Sequence, residues 1–447
     1  MTSESLTDPK HSWQLRYLYG GTDYNTYRPP LQFALLKAMA SLRILISGAG
    51  IAGPAFAFWA TRLGHACTIV ERSSELRDSG QQIDIRSHGI EVTKHMDILD
   101  EIRSLAVQES GVRFVDSRGA EQAFFSGTES SARAQGLSSE FEIMRGDLSR
   151  LLNSKNASSV QILLGTTVQS IQSHHDSATV TFSDGSVGEY DLVVAADGQN
   201  SKIRQQMLSE NPAIADESRN LGVYSAYYRI PRTANDSGCA TVYVAPNERI
   251  LCTRWHSTEQ GQGYLATMAH QDEMEEALKQ GVDAQKTLFE NVFKDAGWES
   301  GRLVDGLREA DDFYAQSAVQ VKISAWSKDR VVLLGDAAYC PTPLTGMGTS
   351  LALIGAYVLA GEISTGVDIA TALTAYEKTL RPFVQKSQQL PLGLPSLAYP
   401  SSELGVKAFY WFAGLASKLS LDKIDVTPSF LKSKPWILPQ YENLVAS

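Results

Sequence analysis

Cysteine is scarce, with four residues in 447, at Cys67, Cys239, Cys252 and Cys340, and no C-x-x-C pair. That spacing excludes a disulfide framework and the common zinc modules. It leaves isolated buried thiols in a reducing compartment as the expectation, and no metal site. Positive charge is also in deficit, since 40 Lys and Arg face 50 Asp and Glu for a net charge of −10. Such a balance argues against nucleic acid as the main partner and against a basic membrane-surface patch. Long apolar runs are missing too. The longest, Leu351 to Ala360, falls well short of the roughly 20 residues needed to cross a bilayer and reads as a buried helix. The first residues, MTSESLTDPKHSWQ, are polar and lack the apolar core of a secretion signal. No integral membrane segment and a cytoplasmic location are the resulting expectations. Internal repeats and low-complexity tracts are lacking as well.

What the chain does contain is organised around Ser41 to Arg72, SLRILISGAGIAGPAFAFWATRLGHACTIVER. Leu42, Ile44, Leu45 and Ile46 form the apolar run of a buried strand. Gly48, Gly50 and Gly53 follow as G-x-G-x-x-G, then a helix, then a second strand from Thr68 to Val70 closed by Glu71. The first glycine permits a sharp turn, the second lets backbone approach a pyrophosphate, and the third lets the helix pack close to the strand. The helix N-terminus then directs free N–H groups at phosphate. Glu71, with Arg72 beside it, stands where a carboxylate can take the ribose hydroxyl of an adenosine. This pattern specifies a dinucleotide site without separating NAD from FAD.

Residues 1–40 precede that strand and read as an extension outside the core, turn-rich with a short helix at Leu31–Met39. Beyond Glu71, Ile83 and Ile85 alternate as a short strand, Gly89–Ile102 reads as a helix, and Phe114–Phe125 as a hairpin around Arg118 and Gly119. A helix begins near Gly146. Strands occupy Val160–Val187, Leu192–Ala195 and Gly222–His270, with a helix over Met274–Ala296 and a strand at Val319–Ser324. Val331–Leu334 reads as a buried strand ending at Gly335-Asp336. A Pro/Gly-rich turn leads to Gly346-Met347-Gly348 and a helix through Ile363. Helices continue from Ala370, broken by Pro391, Pro395 and Pro400, and the crowded Phe409–Phe412 is expected to pack on the core.

Three motifs stand in order: G-A-G-I-A-G with Glu71; D-G-Q-N-S-K-I-R from Asp197 to Arg204; and G-D-A-A-Y at 335–339 with P-L-T-G-M-G at 343–348. Together they closely resemble the class A flavin monooxygenases, the aromatic-hydroxylase family. Within it the chain is similar to the branch of tetracycline-inactivating monooxygenases, where R-x-x-G-x-x-x-D recurs, here Arg77, Gly80 and Asp84. The resemblance spans Ser41 to about Pro382. It implies an α/β fold, a Rossmann-like FAD-binding domain with an inserted mixed β-sheet substrate domain and C-terminal helices. The corresponding boundaries are 1–40 (extension), 41–215 and 326–382 (FAD-binding), 216–325 (substrate sheet) and 383–447 (C-terminal helices). It also implies roles. Glu71 would bind the adenosine ribose, Arg145 the pyrophosphate and ribityl region, and Asp336 the ribityl hydroxyls. Arg77 would act with the nicotinamide cofactor and Asp84 beside the flavin. Asp197 would serve both cofactors. Gly346 and Gly348 offer bare N–H groups at a helix start, suited to the flavin pyrimidine edge, where negative charge gathers on reduction. The chain departs from the family at Tyr339, where a histidine is common, near Ile354-Gly355, where an acid is common, and at Gln81, where a second glycine is usual.

The implied reaction is hydroxylation of an electron-rich aromatic or enolic small molecule, such as a polycyclic secondary metabolite. It would use non-covalent FAD, NADPH or NADH as reductant, and O2, through a flavin C4a-hydroperoxide. No catalytic residue is assigned. Tyr224, Tyr228, Arg254, His256 and His270 lie on the substrate sheet, with ordinary packing the favoured reading for each. Oligomeric state stays open. A flavin halogenase would carry a W-x-W-x-I-P signature, which is absent. A flavin dehydrogenase or oxidase and a non-catalytic dinucleotide-binding protein are the remaining alternatives.

Overall fold

The structure, a computed structural model, describes residues 41–76, 80–127, 140–420 and 435–445. Arg77, the expected helix at 31–39 and the rest of 1–40 lie outside the described residues.

The chain opens with β1 (Arg43–Ser47), α1 (Ala52–Arg62) and β2 (Ala66–Glu71). Residues 52–60 of α1 are all buried, as expected of a helix apolar on every side. A short strand β3 (Gln82–Asp84) precedes α2 (His88–His95) and α3 (Leu99–Leu105). The sequence pattern suggested one helix here. Asp97 breaks it by adopting a φ of 54°, and Ile98 N–H turns back to Thr93 O at 3.1 Å, a typical helix stop. β4 (Gly111–Val115) and β5 (Glu121–Ser126) form the expected hairpin. Gly119 sits at φ 81° while the Asp116 carboxylate accepts from the Arg118 and Ala120 amides.

β6 (Glu142–Met144) runs directly into α4 (Arg145–Asn156), followed by β7 (Val160–Leu164). β8 (Val168–Ser173), β9 (Ala178–Phe182) and β10 (Val187–Tyr190) make a small antiparallel sheet before β11 (Leu192–Ala195) and α5 (Lys202–Glu210). Four long strands follow, β12 (Arg219–Pro231), β13 (Ala240–Ala245), β14 (Arg249–Trp255) and β15 (Gln260–Thr267). Then come α6 (Gln271–Lys279), α7 (Val282–Phe293) and α8 (Ser300–Glu309). Gly281 divides what the pattern read as one helix at 274–296. β16 lies at Tyr314–Gln320 rather than Val319–Ser324. β17 (Ser327–Lys328), β18 (Val331–Leu333) and the single turn α9 (Asp336–Tyr339) complete the first half of the late motif. α10 (Gly348–Ser364), α11 (Ile369–Ser387), α12 (Glu403–Lys418) and α13 (Glu442–Val445) close the chain.

The central sheet has the order β17-β18-β11-β1-β2-β7, parallel except at β17. β1 therefore lies inside the sheet, and the tips of β1, β2, β11 and β18 gather at one edge, where a doubly wound fold binds its ligand. α1 and α10 pack against each other, with α2 and α11 beside α10. The second sheet has the order β16-β12-β15-β14-β13-β4-β5 and is mixed, because β4 joins β13 in parallel. One face of it is closed by α6, α7 and α8 through Tyr228, Leu251, Leu265, Phe289, Phe293 and Leu303. The other face turns toward the β3–β6 ribbon. All four cysteines are buried and unpaired. Among the described residues no helix is long and apolar enough to cross a membrane.

Candidate cofactor and substrate site

The glycine turn after β1 is shaped by close backbone approach. Gly48 adopts φ 112°, and a Cβ there would fall 2.4 Å from Ala196 O at the tip of β11. A Cβ on Gly53 would fall 2.1 Å from Gly48 O. Gly50 differs, since a Cβ there would meet nothing within 4 Å except Arg145 Nη2, at 3.3 Å. The middle glycine thus presents bare backbone in close contact with a guanidinium. From behind, α4 braces the turn. Ser149 Oγ and Asn153 Nδ2 donate to Ala49 O, and Asn156 Nδ2 donates to Pro54 O at 2.9 Å. Glu71, at the end of β2, accepts from Ala49 N–H at 2.9 Å and Ser73 N–H at 3.0 Å. Its carboxylate is therefore held against the turn. Arg72 is exposed on the loop beyond.

Three further loops converge here. Arg145 opens α4, its stem lying against Gly80, where a Cβ would sit 3.2 Å from Arg145 Cδ. Asp336 opens α9, half-buried, with its carboxyl pKa raised by burial and lowered in part by Cys340 and Arg145. A Cβ on Gly348 would lie 3.8 Å from Asp336 Oδ1, so the start of α10 faces that carboxyl. Gly346, at φ 62°, turns toward Asp84, whose Oδ2 would be 3.6 Å from an added Cβ. Asp84 itself accepts from Arg86 Nη2 at 2.9 Å. In the D-G motif, Asp197 Oδ2 accepts from Lys202 N–H at 3.1 Å, and burial raises its pKa. Ser201 caps α5 by accepting from Arg204 N–H. Arg204 is buried and donates to Ala337 O at 3.0 Å and Gln199 O at 2.6 Å. The last residue of that motif thereby ties it to the G-D-A-A turn, a role its spacing did not reveal.

The inner face of the second sheet carries Tyr227, Tyr264 and Tyr314. Tyr227 stands edge-on to Tyr264 with centroids 4.8 Å apart and stacks on Tyr314 at 6.2 Å. Tyr264 accepts from Gln82 N–H at 3.0 Å and donates to Gln262 Oε1, while Gln262 Nε2 donates to Gly80 O at 2.8 Å. Tyr314 donates to Gln316 Oε1 at 2.7 Å. Of the substrate-sheet candidates, Tyr224 and Tyr228 point to the opposite, helix-covered face. Tyr228 donates to Leu303 O and Tyr224 to Glu275, and burial pushes the Tyr224 hydroxyl up to about 12. His270 is exposed at the start of α6 beside Glu273. His256 is half-buried with its pKa lowered by burial. Arg254 does face inward. Alternation along β12 separates 224/228 from 225/227 but does not say which set faces the site.

An elongated anion with a polyol chain and a flat end fits this arrangement: an open glycine beside a guanidinium, a half-buried carboxylate, a glycine-flanked helix start, and an aromatic face opposite. The FAD binding domain family matches the chain over residues 41–390. A FAD-dependent monooxygenase of Sarocladium schorii, asL4, is 35% identical over 430 residues, covering 91% of this chain and 100% of the relative. A flavin-dependent monooxygenase of Phoma sp, eupH, is 38% identical over 409 residues, covering 86% and 94%. This chain belongs to the class A FAD-dependent monooxygenases. Among solved structures, tetracycline destructase Tet(51) superposes with a TM-score of 0.72 at 28% identity, covering 87% of this monooxygenase and all of that chain. The Klebsiella pneumoniae HpxO complex with FAD and uric acid shares the fold, with a TM-score of 0.65 at 20% identity over 86% and 95% of the two chains.

Two of the departures from the family pattern turn out to be one packing event. Tyr339 points away from the cleft into the core, its hydroxyl 3.0 Å from that of Tyr376 and its ring 4.7 Å from Trp326. A Cβ on Gly355 would fall 1.9 Å from the Tyr339 hydroxyl. In this monooxygenase the absent side chain at 355 is the space that the large side chain at 339 fills. Gln81 keeps its place at the ribbon, its backbone O accepting from Arg145 N–H at 3.1 Å.

Proposed function

We propose that this flavin monooxygenase takes electrons from NADPH or NADH and places one atom of O2 on a flat, electron-rich aromatic or enolic molecule, such as a polycyclic secondary metabolite. Bound FAD, once reduced, supplies the oxygen-activating chemistry. The protein's part is to hold and orient. The turn at Gly48, Gly50 and Gly53 with the start of α1 takes the pyrophosphate, aided by Arg145. Glu71 takes the adenosine ribose, with Arg72 at the edge. Asp336 accepts ribityl hydroxyls. Gly346, Gly348 and the start of α10 receive the pyrimidine edge, beside Asp84. Asp197 holds the loop that meets both cofactors, and Arg77 serves the nicotinamide. Residues 216–325 together with the β4–β5 hairpin form the substrate lobe, residues 1–40 are an extension outside the FAD-binding body, and the enzyme works in the cytoplasm.

The observation that carries the substrate class is the tyrosine face. Three rings within stacking distance, with Gln316 and Gln262 as neutral hydrogen-bonding partners, suit a flat ligand with hydroxyl or carbonyl groups. The test is NADPH and NADH oxidation with oxygen uptake against polycyclic phenols, enols and indoles, with mass analysis of products. A product heavier by one oxygen atom is expected. Oxygen uptake with dehydrogenated product and no added oxygen would establish an oxidase instead.

A further inference from the structure

Below the tyrosine face lies a buried charge cluster that the cofactor reading leaves unused. Arg254 of β14 reaches between two glutamates. Its Nε donates to Glu109 Oε2 at 3.1 Å, and its Nη2 contacts Glu109 and, at 2.6 Å, Glu142 of β6. Glu109 also accepts from Trp255 N–H at 3.0 Å. The side chains of Glu109 and Glu142 are 2% and 5% exposed. Glu142 pairs in register with Asp84 across the β3–β6 ribbon. Asp84 is matched to Arg86, with its Oδ1 buried and without a hydrogen-bond partner among the described residues. Three carboxyls therefore share two guanidinium groups in a water-poor wall. One negative charge is in excess there, which raises the affinity of the cluster for one proton.

We propose that this cluster is the proton store of the flavin pocket, with Glu142 taking up one proton from solvent when the bound cofactor becomes anionic on reduction and returning it on reoxidation. The inference rests on the FAD site described above. Its route is electrostatic and short. Asp84 Oδ2 lies beside the Gly346 turn, and Glu142 is the residue opposite Asp84. Negative charge arriving at that turn is felt at Glu142 across one strand. The groups facing Glu142 are Arg254 from β14, Asp84 from β3 and Glu109 from the segment before β4. Burial raises the Glu142 carboxyl to about 7, Arg254 opposes this, and Asp84 and Glu109 reinforce it. Near neutral pH the group is therefore poised between its two states. No bond to the cofactor forms; the carboxylate gains a proton, and the electrons come from the nicotinamide.

The test uses the FAD-loaded enzyme and its Glu142→Gln variant, which keeps the carboxyl's shape, can still accept from Arg254, and is permanently neutral. The flavin midpoint potential is measured anaerobically from pH 6 to 8.5. Above about pH 7, the wild type is expected to take up one more proton per two electrons than the variant. Below that the group is already protonated and the two slopes merge. Infrared difference spectra should show a protonated-carboxyl band gained on reduction at pH 8 in wild type and absent in Glu142→Gln. Asp84→Asn removes a negative neighbour, so the extra uptake should begin at lower pH. Equal slopes and spectra in wild type and Glu142→Gln would reduce the cluster to a structural tie between sheets. Should Glu142→Gln fail to fold, an Asp84→Asn curve identical to wild type would also overturn the proposal. Wild-type protein that takes up no FAD would overturn the cofactor reading and this proposal with it.

Discussion

Asp336 is a carboxyl under opposing influences, raised by burial and lowered by Cys340 and Arg145. Hydroxyl donors from a ribityl chain favour its ionised form. FAD affinity should therefore fall as pH drops through the raised pKa of Asp336, and Asp336→Asn should lose that dependence. Asp336→Ala removes bonds to a charged acceptor, each worth roughly 1.5–3 kcal/mol, so FAD should bind at least about tenfold more weakly. Fluorescence titration of apoprotein measures this, and an unchanged Kd would remove Asp336 from the site. Glu142 makes the second case. Its folded pKa of about 7 lies above the ordinary glutamate value, so the folded state holds more protons between the two. Stability then falls as pH rises through that window, by an amount on the order of 3 kcal/mol. Glu142→Gln lacks this loss, and its unfolding midpoint relative to wild type should rise between pH 5 and 8. Asp336, Arg145 and the glycines, whose cofactor roles are proposed, could be singled out because each sits in a short motif that carries the family resemblance. Glu109, Glu142 and Arg254 could not be read as a cluster, because three distant segments bring them together and no local spacing records the meeting.

At the scale of elements, α10 shows how a departure from a family pattern can be neutral for chemistry and decisive for packing. Gly355→Ala would gain about 1 kcal/mol in helix propensity. The added methyl, however, would meet the Tyr339 hydroxyl at 1.9 Å, and that hydroxyl is held by Tyr376 and walled by Trp326. Overpacking of this kind costs roughly 1–3 kcal/mol, so the net effect should be destabilising. Tyr339→Phe should relieve much of it in the double variant. Denaturant unfolding of the four proteins gives the coupling energy, and simple additivity would show that the two positions do not share space. Besides the start of β16, the elements that sequence periodicity misjudged were helices with a stop inside. A 3.6-residue pattern continues across Asp97 and Gly281 even though the backbone does not. The aromatic run in α12 has a simpler geometry. Successive residues turn about 100°, so four in a row cannot share a face. Tyr410 is buried and bonds Val115 O and Val244 N, whereas Trp411 and Phe412 are each 64% exposed.

For the whole molecule, the α/β class was readable from strand pattern and motif order, because ligand-binding turns punctuate the first sheet at fixed places, and the second mixed sheet was what the family resemblance implied. Sheet membership was less readable. The β4–β5 hairpin joins the second sheet through a parallel pairing with β13, and strand sequence does not encode a partner that far along the chain. The second sheet is tied to the β3–β6 ribbon by Gln262 to Gly80, Tyr264 to Gln82 and Arg254 to Glu142. These links run through the same ribbon that borders the cofactor turns. FAD should therefore stabilise the molecule as a unit. Binding only to the folded state adds about 2.7 kcal/mol at a free concentration 100 times Kd, and coupled sheets should share that gain. Hydrogen exchange followed by mass spectrometry on peptides covering β1 and β12 tests the expectation. Both should slow on adding FAD, and both should slow less in Asp336→Ala at the same FAD concentration. Protection confined to β1, with β12 indifferent to the cofactor, would mean that the ribbon contacts position the substrate sheet without coupling its stability to the flavin site.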